Sequence, residues 1–215
     1  MKKLFTLLAL TISFSMNSQM DDNSANNNSA GTYAVAMGNG TTASGYNSTA
    51  MGSGTTASGN RSTAMGYGAT ASGTYSTAMG RNTSASGGYS TAMGYGATAS
   101  GDSSTAMGFY TTAGGTISTA MGRYTIASDY SSTVIGQYNS SGSSVTNNAT
   151  SFSTSNTAFV IGNGTSGSLS DAFKVMFNGD ATVSNDLTVS GDVVISSDAR
   201  LKSNIVSLGS TLPKL

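Results

Sequence analysis

The residues of this chain best suited to recognition chemistry are tyrosines and an arginine that recur at related spacings: Tyr67, Tyr75, Arg81, Tyr89 and Tyr95. Rings and guanidinium groups supply large contact area and directed donors, and both are enriched where proteins bind their partners. The same residues also suit plain exposed turns that cap a coil. Residues for covalent chemistry are scarce. The sequence has no histidine, cysteine, tryptophan or glutamate, and its nine acids are scattered aspartates. A hydrolytic triad, a zinc site or a close acid pair has no raw material. No external catalysis, no cofactor and no metal are expected. Gly38-Asn39-Gly40-Thr41 and Gly162-Asn163-Gly164-Thr165 read as turns, because neither a phosphate-loop lysine nor repeated calcium-binding aspartates accompany them.

The elements that must position these side chains follow from a repeat. A block of fourteen residues recurs eight times between Tyr33 and Tyr138. Most copies open on Ser-Thr-Ala-Met-Gly and carry Ala-Ser-Gly in their second half. A unit this short cannot bury its own apolar face, so it must stack on its neighbours as a solenoid. Glycine and hydroxyl residues in every copy disfavour helix, whereas Ser-Thr-Ala-Met-Gly alternates with the period of a strand. Two short strands and two tight turns fit each copy, and coils rising about 4.8 Å each span roughly 40 Å in all.

Within the strand, Thr63 and Met65 share one side and Ala64 takes the other. Charge is confined to turn positions such as Arg61, Arg81, Asp102, Arg123 and Asp129. A strand with no solvated face is buried on both. The expected core-packing ladder is Met37, Met51, Met65, Met79, Met93, Met107, Met121 and Ile135, lining the coil. The alanine face would meet other copies of the chain near a shared axis.

Ser62-Thr63-Ala64-Met65-Gly66 with Ala71-Ser72-Gly73 resembles, slot for slot, the head repeat of YadA-like trimeric autotransporter adhesins. Methionine stands where that family favours isoleucine, and threonine where it favours valine, which softens the packing. The resemblance implies an all-β, left-handed parallel β-roll, a homotrimer and an adhesive role at a bacterial cell surface.

Lys2 and Lys3 precede an apolar run from Leu4 to Phe14, and Ser18 and Gln19 follow, so residues 1–19 are expected to be a signal peptide. Residues 20–30, rich in Asn and Ser, read as a disordered lead-in. No stretch is long and apolar enough for a membrane span. With no cysteine, stability must come from stacking and oligomerisation. A net charge of zero with 8% charged residues argues against nucleic acid as a partner.

The head is expected over residues 31–138, a linker or cap over 139–157, and a β stem over 158–196 built from Phe159-Val160-Ile161, the alternation Phe173 to Phe177 before Asn178-Gly179, and Leu187, Val189, Val193 and Ile195. Ser196-Ser197-Asp198-Ala199-Arg200-Leu201-Lys202-Ser203-Asn204-Ile205 resembles the opening of the endosialidase-type intramolecular chaperone domain. That resemblance implies self-cleavage at the Ser197-Asp198 junction, with Ser197 as nucleophile and Lys202 as general base. Residues 197–215 would then be the truncated start of that domain, with a short C-terminal helix and the chain a fragment. An ordinary amphipathic helix is the other reading, since Leu201, Ile205, Leu208 and Leu212 have helical spacing.

The leading functional expectation is an exported trimeric fibre head that attaches multivalently to a host or neighbouring-cell surface protein or glycan. A phage-type tail fibre or spike with a self-cleaving chaperone is the alternative, favoured by the C-terminal motif and disfavoured by the signal. An ice-binding β-solenoid is a third, suggested by the ladder Thr49, Thr63, Thr77, Thr91, Thr105 and Thr119. Methionine on the same strand side argues that this ladder points inward.

Overall fold

The computed structural model describes residues 27–140 and 149–190. All regular structure among them is β. Five-residue strands run through the repeats: Val35–Asn39, Thr49–Ser53, Thr63–Tyr67, Thr77–Arg81, Thr91–Tyr95, Thr105–Phe109, Thr119–Arg123 and Thr133–Gln137. Two-residue strands alternate with them, from Thr42–Ala43 to Ile126–Ala127. The long strands pair in parallel and in register, so that Thr63, Ala64 and Met65 lie beside Thr77, Ala78 and Met79 of the next coil. The short strands form a second parallel sheet of seven. The result is a parallel β-solenoid of about seven turns.

Glycine makes the stacking possible. Gly80 has φ of 121°, and a Cβ there would lie 2.1 Å from the carbonyl oxygen of Gly94 on the next coil. The coils therefore touch backbone to backbone at this column, and no side chain fits between them.

The two faces of the long strands are the reverse of the sequence expectation. Ala50, Ala64, Ala78 and their equivalents are fully buried inside the coil, against Ala57, Ala71 and Ala85 of the short strands. Serines and threonines such as Ser62 and Thr55 complete the interior. Met37, Met51, Met65, Met79, Met93, Met107, Met121 and Ile135 do not fill the coil; they are half-buried on its outer face. The reason is dimensional. Corners of so few residues hold the two sheets close, and the gap accepts a methyl group from each side but not a thioether. The threonine ladder shares the methionine face, so it also points outward.

At the C-terminal end the interior widens. Val134 follows Ala120 in the alanine column, and Val160 follows Val134. Among the described residues no short strand lies opposite them, the last being Ile126–Ala127, and the eighth repeat contributes its long strand only. Thr157–Asn163 then continues the long sheet, parallel to Thr133–Gln137, with Ile161 beside Ile135 and Gly162 beside Gly136. Asp171–Met176 pairs with it antiparallel, and Ala181–Val183 pairs with Asp171–Met176 in turn. The segment expected to begin a separate stem thus starts as a further rung of the solenoid.

The chain divides into the units Met1–Asn185 and Asp186–Leu215. Of the second, residues 186–190 are described and form no strand; they include Leu187 and Val189. The expected signal peptide, Val193, Ile195, the C-terminal helix and the Ser197-Asp198 junction with Lys202 lie outside the described residues. No helix among the described residues is long and apolar enough to cross a membrane.

Candidate functional site

Each coil turns two corners, one at either end of the long strand. The corner before it places Tyr33, Asn47, Arg61, Tyr75, Tyr89, Ser103, Ile117 and Ser131 at φ between 53° and 62°. The corner after it uses Gly40, Gly54, Gly68, Asn82, Gly96, Tyr110, Tyr124 and Tyr138 in the same left-handed region, the last at 43°. Non-glycine residues are uncommon there, and asparagine tolerates it best. Bulky side chains at these corners point away from the coil and meet their equivalents one rung on.

The consequence is two stacked ladders. On the first corner, Tyr75 and Tyr89 stack with centroids 4.9 Å apart and planes 7° from parallel. The Arg61 guanidinium lies over Tyr46 at 5.5 Å and over Tyr75 at 5.1 Å. On the second corner, Arg81 sits between Tyr67 and Tyr95, at 5.6 and 5.3 Å from the two ring centroids. Tyr95 then stacks on Phe109 at 5.1 Å. Arg123 lies over Phe109 at 5.8 Å and over Tyr138 at 5.3 Å. A second column joins it, in which Tyr124 stacks between Tyr110 and Tyr138 at 5.2 and 4.7 Å. The separations match the rise of a parallel coil, so backbone register sets the ring spacing.

The five residues singled out from the sequence are not brought together. Tyr67, Arg81 and Tyr95 are consecutive rungs of one ladder, whereas Tyr75 and Tyr89 belong to the other, at the opposite end of the strands. Phe109, Tyr110, Arg123, Tyr124 and Tyr138 extend the first group and were not singled out. Their signal was present, since Phe109 and Arg123 stand one and two periods after Tyr95.

Electrostatically the two ladders differ. The second corner carries Arg81 and Arg123 and no acid from residue 39 to residue 138, while Asp102 and Asp129 both belong to the first. Asp102 accepts a hydrogen bond from the Gly88 backbone N–H at 2.8 Å. Asp129 is buried, and its Oδ2 accepts from the Thr157 N–H at 2.6 Å. Burial holds the Asp129 carboxyl above its ordinary value, against the lowering effect of that hydrogen bond. A side-chain hydrogen bond with Tyr95 raises the Tyr110 phenol above its ordinary value.

A polar depression of about 430 Å³ beside the last strands is lined by Asn163, Asp171 and Lys174 among others. The Asp171 carboxylate is engaged there by the Ser140 N–H at 2.8 Å. Nothing in it converges on a reaction.

No curated protein matches the chain. The family described as YadA head domain repeat (2 copies) matches residues 29–55, 57–83 and 85–111. The matched residues span most of the solenoid's coils, and the parallel β-solenoid fits a YadA head: YadA head domain repeats are found in this part of the chain.

Proposed function

We propose that this chain is the head of an exported homotrimeric fibre that attaches to a host or neighbouring-cell surface through its corner ladders. The observation that carries the reading is the pair of ring and guanidinium ladders, held at backbone spacing on a β-solenoid whose few charges all lie at its corners. Such a surface repeats one contact many times. In a trimer each contact is multiplied again, and avidity exceeds single-site affinity by about 10² to 10⁴ when the geometry permits simultaneous engagement. Trimer formation is supported by the outer face of the long sheet, where methionines and threonines stand in register with no covering element among the described residues. An apolar face of that extent marks an association surface. Ser197, Asp198 and Lys202 belong to a further part of the proposal: self-cleavage in an extended chain, with a full-length product from such a chain as the contrary outcome.

The test is attachment of the chain to coated surfaces and to whole cells. Replacing Tyr67, Arg81 and Tyr95 together by alanine should reduce attachment while circular dichroism stays unchanged. Undiminished attachment would move the site to the first-corner ladder with Tyr75 and Tyr89, or off the solenoid altogether.

The ice-binding reading keeps one observation in its favour, that the Thr49 to Thr119 ladder faces outward. Trimerisation through that same face would cover it. Thermal hysteresis measured on the assembled protein separates the two.

A further inference from the structure

We infer that the second-corner ladder, from Tyr67 to Tyr138, is a binding strip for an anionic glycan, a hydroxylated polymer that carries carboxylate or sulfate groups at intervals. The inference deepens the adhesive reading and rests on it.

The geometry of Arg81 comes first. Tyr67 on the preceding coil and Tyr95 on the following coil cover both faces of its guanidinium. What remains accessible is the edge, where all five N–H donors lie in the fork that matches a carboxylate or sulfate in two-point fashion. The stacked rings also hold the side chain in place, so little rotamer entropy remains to be lost on binding. Arg123, covered by Phe109 and Tyr138, repeats the arrangement. Neither arginine is paired with a carboxylate among the described residues. Both are exposed. Two preorganised cations without counter-charges are thus presented on one edge.

Their spacing selects the polymer. Arg81 and Arg123 are three coils apart, about 14 Å at the rise of a parallel stack. Between and beside them stand Tyr95, Phe109, Tyr110 and Tyr124. Ring faces in this strip are taken by neighbouring rings, at 5.1 Å for Tyr95 on Phe109 and 5.2 Å for Tyr110 on Tyr124. Flat stacking of a ligand on those faces is therefore closed, and the phenol edges are what a ligand meets. A row of phenol O–H groups with a cation every third coil complements a chain that is mostly neutral hydroxyls with an anion at intervals. A nucleic acid or a strongly acidic peptide carries charge at nearly every unit, and two cations over this length do not answer it. No aspartate stands on this edge from residue 39 to residue 138, although the whole chain has zero net charge; Asp171 lies beyond the Tyr138 end, engaged by the Ser140 N–H.

The experiment measures binding of the full chain to immobilised desulfated N-acetylated heparin, a polymer of neutral hydroxyls with one carboxylate per disaccharide, and to dextran. The expected result is binding to the carboxylated polymer that weakens as ionic strength rises, with no binding to dextran. Arg81→Gln combined with Arg123→Gln should lower affinity for the carboxylated polymer at least about tenfold with an unchanged circular dichroism spectrum. Arg81→Lys with Arg123→Lys keeps the charge and loses the fork, and should recover only part of the loss. Equal binding to the carboxylated polymer and dextran, or binding indifferent to the glutamine pair, overturns the inference. If the carboxylated polymer is not bound while attachment to cells still depends on Tyr67, Arg81 and Tyr95, the glycan class falls and the adhesive reading stands. If the chain attaches to no surface, both fall.

Discussion

The Asn139 side chain takes the place of a missing strand: its Oδ1 accepts from the Ile126 N–H at 2.8 Å, and its Nδ2 donates to the Ile126 carbonyl at 3.1 Å. Ile126–Ala127 is the last strand of the short sheet, and an unpaired strand edge is a template for association with another chain. Asn27 does similar work at the other end, its Oδ1 accepting from the Thr41 N–H at 3.0 Å and its Nδ2 donating to the Gly38 carbonyl at 2.9 Å. Replacing Asn139 by alanine removes both bonds and should cost about 1–3 kcal/mol. The larger effect should be end-to-end association, visible as concentration-dependent light scattering that the parent protein lacks. Scattering identical to the parent would mean that other groups already cover this edge.

Two glycine columns that look alike in the repeat should respond very differently to alanine. At Gly80 a Cβ meets the next coil's backbone, whereas at Gly40, with φ of 61°, nothing lies within 4 Å of it. Gly40→Ala should cost only the left-handed backbone penalty, about 1–2 kcal/mol. Gly80→Ala must push coils apart and should exceed about 4 kcal/mol. Thermal melts of the two variants check the ordering, and a Gly80→Ala protein that melts with Gly40→Ala would contradict the close stacking.

The period, the strand type and the corner positions were legible in the sequence because each depends on local spacing. Which strand face turns inward was not. Alternation shows that Ala64 and Met65 oppose one another, but only the narrow separation of the sheets decides that alanine fits inside. The ninth rung was legible in part. Val160-Ile161-Gly162-Asn163-Gly164 repeats the pattern of Ala36-Met37-Gly38-Asn39-Gly40, yet an insertion breaks the fourteen-residue count and hides the match. Of the candidate site, ring positions followed from the repeat, while stacking across coils depends on register that no single copy contains.

The buried hydroxyls inside the coil should prove dispensable. Thr55, Thr83 and Thr111 are buried with no hydrogen-bond partner for Oγ1. Ala69 and Ala97 occupy the same column and are equally buried. An unpartnered buried hydroxyl contributes a desolvation penalty that alanine lacks, offset by the methyl that is lost. Thr83→Ala should therefore change stability by less than about 1 kcal/mol. A clear destabilisation would reveal a partner for that oxygen, such as a trapped water.

Asp129 gives the stability of the C-terminal end an unusual pH dependence. Its carboxyl is raised above the ordinary value of 3.8, chiefly by burial, so the protonated form is favoured in the fold. The sign follows: this contribution is fully present below 3.8 and is lost as pH rises through the folded value. Asp129→Asn keeps an acceptor for the Thr157 N–H and removes the buried charge. It should raise the melting temperature at neutral pH and leave it near the parent's in acid. Equal shifts at both pH values would exclude ionisation of Asp129 as the cause.

Met79→Asp separates coil stability from assembly. Were the methionine inside the coil, an unpaired charge there would unfold it. Because Met79 is half-buried on the outer face, the carboxylate can reach solvent in a single chain, and the coil should survive with its β circular dichroism intact. In the proposed trimer the same face lies against two other copies. A ring of three like charges at one level would then oppose association and strand each charge in a desolvated contact. Sedimentation should give a trimer for the parent and a folded monomer for Met79→Asp. A variant that remains trimeric would place the inter-chain contact on another face, and one that unfolds outright would mean that the coil forms only within the assembly.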